Sequence, residues 1–204
     1  QSLGKMVSEL KKEGLFDSTL IIIGAKHGQS PIDVQKRVGI GGGEPATTIG
    51  APEAFDISDD GSLIWLTDSS LTATVVASLS VPAVQNHLGI QEIFALDSLE
   101  NKFNSPLHDE RTPDIILKTN TGVIFTGGSK ISEHGGLNED DIHIALLLSM
   151  PGLHGASINV PVFNQQVAPT ILRALGLDPD ELDSVRAEQV QVLPFLFGGD
   201  DDRD

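Results

Sequence analysis

Apolar positions along this chain recur with two periods, and the switches between them mark its elements. Leu3, Met6, Val7 and Leu10 return at helical spacing. Lys11 and Lys12 follow where a helix C-terminus favours positive charge, and Gly14 is placed to cap it, so residues 1–14 read as the end of a helix. Thr19-Leu20-Ile21-Ile22-Ile23 is instead a continuous β-branched and apolar run, the pattern of a strand buried on both faces of a mostly parallel sheet. Ile142 to Ser149 repeats that pattern, and Gln91 to Ala95 predicts a shorter strand. Residues 53–66 predict a hairpin turning at Asp60-Gly61, and 113–118 with 123–126 predict another around Asn120-Thr121-Gly122.

Helices are expected over 71–79, with Ser69 or Ser70 as cap, and over 164–175, with Val167, Ile171, Leu172 and Leu175 inward and Gly176 closing it. Pro82 should end or kink the first of these or begin another turn. The Gly-rich stretch 39–43 lacks the Lys-Ser/Thr ending of a phosphate-binding loop and reads as a plain loop. Helix, short loop and buried strand in succession indicate an α/β fold. The expected architecture is a mostly parallel sheet with flanking helices and inserted β-hairpins. One domain is expected over 1–199, followed by an acidic, disordered tail at 200–204.

Composition narrows the classes of function. The 204 residues carry 13 basic and 29 acidic side chains, a net charge of −16 that repels nucleic-acid polymers and anionic membranes. A phosphate-bearing substrate would need a locally positive site, for which metal ions are the simplest source. No apolar run approaches the roughly 18–20 residues of a membrane span. The absence of cysteine excludes disulfides, thiolate ligands and a Cys nucleophile. A chain that opens on Gln1 reads as beginning inside a longer or processed protein.

Candidate chemistry concentrates in two loops. In open α/β sheets, ligands bind beyond the carboxyl ends of the strands. The run 19–23 leads into Gly24-Ala25-Lys26-His27-Gly28-Gln29, and a His followed by Gly at that place can point its ring into a crevice. Ser132-Glu133-His134-Gly135-Gly136 pairs His with Gly again. Neutral imidazole is a common ligand for zinc and related ions, so His27 and His134 are the candidate metal ligands. By spacing alone, each is also an ordinary loop histidine with a satisfied hydrogen bond. His87 and His154 have no supporting context, His108 lies in an acidic loop, and His143 follows Asp140 and Asp141 at a strand entrance.

Six segments in order extend the picture: Leu-Phe-Asp-Ser-Thr-Leu-Ile-Ile-Ile at 15–23, Ala-Lys-His-Gly-Gln-Ser-Pro at 25–31, Arg-Thr-Pro-Asp-Ile at 111–115, Glu-His-Gly-Gly at 133–136, Asp-Asp-Ile-His-Ile-Ala-Leu-Leu at 140–147 and Val-Ala-Pro-Thr-Ile-Leu-Arg-Ala-Leu-Gly at 167–176. Each is weak alone. Together they resemble the C-terminal portion of the alkaline-phosphatase superfamily, in its type I phosphodiesterase/nucleotide pyrophosphatase branch.

The resemblance implies an alkaline-phosphatase-like fold, incomplete in this chain, and a hydrolase of phosphoesters. In such enzymes a Thr or Ser nucleophile attacks phosphorus with one or two divalent ions, usually zinc, stabilising the charge. Carried over, His27 matches the His of an Asp-His-Gly motif that binds the second metal, and His134 the late His that completes the first. Lys26 stands where that motif has Asp; an ammonium does not ligate a metal, and Lys26 is a candidate contact to a substrate phosphate oxygen.

The family's nucleophile, early metal-binding Asp and Asp/His pair lie N-terminal to the resembled region, so the catalytic nucleophile is expected outside this chain. The missing N-terminal half of the domain would be its partner, and uncovered apolar helix faces and a sheet edge the consequence. The resemblance implies a small phosphoester or nucleotide substrate and a secreted or extracytoplasmic setting. The alternative is a truncated or pseudoenzyme module of the same fold without catalysis. Metal storage is disfavoured by the shortage of ligands.

Overall fold

The structure is a computed structural model that describes residues 2–50, 53–100 and 103–197. Its elements in chain order are α1 (Ser2–Lys12), β1 (Ile21–Ile23), β2 (Val38–Ile40), α2 (Glu44–Ile49), β3 (Glu53–Ser58), β4 (Gly61–Leu66), α3 (Thr72–Leu79), α4 (Pro82–Leu88), β5 (Ile90–Ala95), α5 (Asp97–Glu100), β6 (Ile115–Thr119), β7 (Val123–Phe125), α6 (Glu139–Ile142), β8 (Leu147–Ser149), α7 (Val167–Ala174) and α8 (Asp183–Glu188). The chain divides into two compact units, residues 27–145 and residues 1–26 with 146–204. The expected tail at 200–204 lies outside the described residues.

The unit of residues 27–145 holds the main core. Its four-stranded sheet has the order β3-β4-β6-β5, and every pairing in it is antiparallel. Along β4 the buried positions alternate, with Ser62, Ile64 and Leu66 inward, as expected of a strand with one covered face. That inward set meets Val75 and Leu79 of α3, Leu88 of α4, Ile115 and Leu117 of β6, and Val123 and Phe125 of β7. A smaller cluster of Phe94, Leu99 and Ile116, with Leu63 and Leu137 against it, forms a second apolar group. The hairpin expected over 53–66 is present. Its register runs from Glu53 opposite Leu66 to Ser58 opposite Ser62.

Several expectations need correction in this unit. The turn at 120–122 forms, with Val123 N–H donating to Asn120 O at 3.0 Å, but no hairpin results. β7 instead pairs in parallel with β2, Val38 opposite Val123 and Ile40 opposite Phe125, so part of the Gly-rich stretch is strand rather than loop. Gly39 supplies a position without a side chain inside that short ladder. The cap before α3 is Asp68, whose carboxylate accepts from Ser70 N–H, and a 3-10 turn at Ser69–Leu71 intervenes. Pro82 begins α4, where its missing N–H costs nothing.

The unit of residues 1–26 and 146–204 contains α1, β1, β8, α7 and α8. Gly14 and Gly176 sit at φ +68° and +73°, left-handed conformations suited to the chain past a helix end. β1 pairs antiparallel with β8, Ile21 opposite Ser149 and Ile23 opposite Leu147. The expected strand over 142–149 is therefore limited to 147–149, because residues 139–142 form the short helix α6. Helix α7 buries Pro169 and Thr170, while Ile171 and Leu175 are exposed. Thr170 Oγ1 donates to Gln166 O at 2.6 Å and accepts from Leu193 N–H at 2.8 Å, so the segment after α8 covers the Thr170 face. Helical spacing located the apolar stripe of α7 but not which side the following chain would cover. Leu147 of β8 and Met6 of α1 are exposed too.

The architecture is thus mixed α/β with small sheets of both kinds. The expected mostly parallel sheet does not form, since among the described residues only the β2–β7 pair is parallel. An unbroken apolar run reports hydrophobicity on both faces of a strand, and the direction of its partner is fixed elsewhere in the chain.

Candidate functional site

His27 opens the unit of residues 27–145, and its segment is laced to two stretches far along the chain. Gly28 N–H donates to Asp141 O at 2.6 Å and Gln29 N–H to Asp140 O at 3.2 Å. Ser30 and Glu133 exchange both main-chain bonds, at 2.8 and 2.9 Å, and Ile32 N–H donates to the Asp140 carboxylate at 2.9 Å. Gly28 is required here by space alone, because a Cβ built on it lies 2.1 Å from Asp140 O. This lacing sets His27 face to face with His134, with ring centroids 4.2 Å apart and planes inclined by 24°. The structure brings the two sequence-selected histidines together.

The tautomer of His27 follows from its neighbour. Nδ1 lies 2.7 Å from Gly28 O, and a carbonyl oxygen only accepts, so Nδ1 carries the proton. In the neutral ring the free lone pair is then on Nε2. Behind Nδ1, at 3.9 Å, stands Oδ1 of Asp141, a side chain only 3% exposed. That separation is beyond a hydrogen bond, so Gly28 O is the group that orients the His27 ring.

The His134 loop is held from both ends. Upstream, Arg37 donates from Nε to Lys130 O at 2.7 Å and from Nη2 to Gly128 O at 3.3 Å. Lys130 Nζ pairs at 2.5 Å with the buried Glu133 carboxylate. Downstream, Gly135 N–H donates to Asp141 Oδ2 at 2.8 Å and Gly136 N–H to Asp60 Oδ1 at 2.5 Å. His134 itself is exposed.

Asp60 and Asp141 are the residues that sequence reasoning missed. Asp60 reads as turn punctuation beside Gly61, yet it is fully buried, and Asp141 reads as one charge in an acidic run. No local pattern distinguishes either from a solvated carboxylate. One oxygen of each, Asp60 Oδ2 and Asp141 Oδ1, has no hydrogen-bond partner among the described residues, and the same holds for Ser30 Oγ. Burial, reinforced by the charge of Asp141, pushes the Asp60 carboxyl up to about 6, and the Gly136 N–H opposes that rise.

The remaining candidates make no described contact with the pair. Lys26 is exposed and ends the first segment of the other unit. His143 pairs with Glu139 at 2.7 Å on the exposed surface of α6, and His87 pairs with Glu44 at 3.2 Å. His108 and His154 are exposed. Among the described residues, no three His, Cys, Asp or Glu side chains group closely enough to hold a metal ion. Two adjacent imidazoles fit part of a metal site, and the described residues do not close one.

Two comparisons with known proteins bear on this geometry. Over 184 residues the chain is 22% identical to a bis(5'-adenosyl)-triphosphatase, ENPP4, of Pongo abelii. That alignment covers 87% of this chain and 37% of the relative, so the chain spans little more than a third of that protein's length. The family model for type I phosphodiesterase / nucleotide pyrophosphatase matches residues 1–143, a stretch that takes in His27, Asp60, His134 and Asp141. The chain belongs to the type I phosphodiesterase/nucleotide pyrophosphatase family.

Proposed function

We propose that this chain carries the histidine side of a metal-assisted hydrolase site of the phosphodiesterase/pyrophosphatase type. The observation that carries the reading is the stack of His27 on His134. Near-parallel rings 4.2 Å apart do not aim two in-plane lone pairs at one point. They suit neighbouring ions, and two-metal sites keep theirs roughly 3.5–4 Å apart. Members of the family generally depend on metal ions. Divalent ions, zinc first among them, suit neutral imidazole donors, and when bound would supply positive charge at a phosphoryl oxygen.

The chain's own groups have defined tasks in this reading. His27 presents Nε2 because Gly28 O holds its other nitrogen protonated. His134 presents its ring from a loop fixed by Lys130–Glu133 on one side and by two glycine N–H bonds on the other. Lys26 would contact a phosphate oxygen of a small phosphoester or nucleotide, a role supported by its exposed ammonium and its place next to His27. The nucleophile and the remaining ligands would come from polypeptide outside these residues. The shortage of ligands among the described residues and the 37% coverage of the relative both favour that. By the family likeness we also propose a secreted or extracytoplasmic setting; no helix among the described residues is long and apolar enough to cross a membrane.

The test is hydrolysis of a chromogenic phosphodiester by the protein that contains this chain, before and after chelation and zinc restoration. Zinc-dependent turnover lost in His134→Ala supports the reading. Turnover that survives both chelation and that substitution overturns it. A second reading, a non-catalytic module of the same fold, is favoured by Lys26 standing in the family's Asp position; zinc binding without turnover would select it.

A further inference from the structure

Two buried carboxylates outside the histidine pair are left with no role in that chemistry, and both bind the same short loop. Asp60 arrives from the β3–β4 turn, and its Oδ1 takes Gly136 N–H at 2.5 Å. Asp141 arrives from α6, and its Oδ2 takes Gly135 N–H at 2.8 Å. These are successive N–H groups immediately after His134. Hydrogen bonds from N–H to a charged carboxylate are roughly twice as strong as neutral ones. Each carboxylate is itself anchored. Asp60 O accepts from Thr119 Oγ1 at 2.6 Å inside β6, and the Asp141 backbone accepts from Gly28 beside His27. The approach is close at Gly136, where a Cβ would lie 2.7 Å from Asp60 Oδ1.

Asp141 in addition touches both halves of the pair. Its backbone oxygen holds Gly28, one of its carboxylate oxygens holds Gly135, and the other faces His27 Nδ1 at 3.9 Å. Burying charged oxygens without full hydrogen bonding is costly, so Asp60 Oδ2 and Asp141 Oδ1 need an offsetting purpose or a bound partner. Holding a solvent-exposed imidazole in one orientation is such a purpose.

We propose that Asp60 and Asp141 are positioning residues that clamp the Gly135–Gly136 backbone and thereby hold His134 stacked on His27. The inference rests on the proposed site for its use, but its geometry is tested without metal. In metal-free protein containing the chain, NMR reads the ring-to-ring contacts of His27 and His134 and the exchange rates of the Gly135 and Gly136 amides. Wild-type protein should show both amides protected and the ring contacts present. Asp60→Ala should speed exchange at Gly136 about tenfold or more and weaken the ring contacts. Asp60→Asn, whose amide oxygen accepts the same N–H, should keep both. A merely stabilising role would lower the melting temperature of Asp60→Ala and leave the ring contacts of its folded state intact.

Unchanged ring contacts in folded Asp60→Ala and Asp141→Ala overturn the proposal. Should the alanine variants not fold, wild-type Gly135 and Gly136 amides exchanging at free-loop rates overturn it equally. A clamp confirmed in protein that binds no zinc would retain this inference and sink the metal reading; zinc binding without a clamp would do the reverse.

Discussion

Gly28→Ala probes the lacing that makes the histidine pair. The added Cβ would lie 2.1 Å from Asp140 O and 3.1 Å from Asp140 C and Asp141 Cα. Ordinary non-bonded carbon contacts lie near about 3.5 Å, so the strand-like stretch must move by about 1 Å or more. The obstacle is backbone on both sides, and no side-chain rotamer relieves it. That movement breaks Gly28 N–H to Asp141 O and Gln29 N–H to Asp140 O. Two such bonds contribute about 1 kcal/mol each, and overpacking adds about 1–3 kcal/mol, giving a loss of roughly 3–5 kcal/mol before relaxation. Urea unfolding followed by tryptophan fluorescence at Trp65 reads the stability, and the His27–His134 ring contact in metal-free protein reads the site. A Gly28→Ala variant with the wild-type urea midpoint and intact ring contacts would refute the idea that close backbone approach builds this pair.

Other consequences follow from burial and charge. Asp60 has its folded carboxyl raised from 3.8 to about 6, so the folded state binds more protons across that window. Stability from this group is therefore full below about 4 and lost as pH rises through about 6. Asp60→Asn should flatten that fall and gain on the order of 2 kcal/mol above pH 6, read as urea midpoints between pH 4 and pH 8. An unchanged pH profile would mean that the Asp60 carboxyl is not desolvated. Leu79→Ala, at a fully buried position of α3, should cost about 2–5 kcal/mol, and Leu175→Ala, exposed beyond α7, about 0.5 kcal/mol or less. Equal losses in thermal or urea unfolding would contradict the placement of the core.

The histidine pair of the candidate site was legible in the sequence because histidine beside glycine is conspicuous. His27 and His134 were selectable from their loops, and the fold alone could bring them face to face. Asp60 and Asp141 were not, since their importance lies in burial and in backbone partners contributed by other segments. The fold was readable to the level of element type. The β3–β4 hairpin, α3, α7 and β5 follow from local chemistry, and the Asp60-Gly61 turn is where turn residues put it. Pairing was not readable. β7 follows its turn as expected and then joins β2 in parallel, because Val123 and Phe125 are buried in the core with Ile40 packed against it. Likewise Ile171 and Leu175 carry the right spacing for an inner face, yet Leu193 settles on the Thr170 side.

In the proposed site His27 and His134 hold divalent cations as neighbours. Calorimetric titration of zinc into the protein that contains this chain tests it most directly, with His27→Ala, His134→Ala and the surface control His143→Ala alongside. Each of the first two should weaken zinc binding by about tenfold or more or remove an ion from the stoichiometry, and His143→Ala should behave as wild type. Identical affinity and stoichiometry in all four proteins would contradict it.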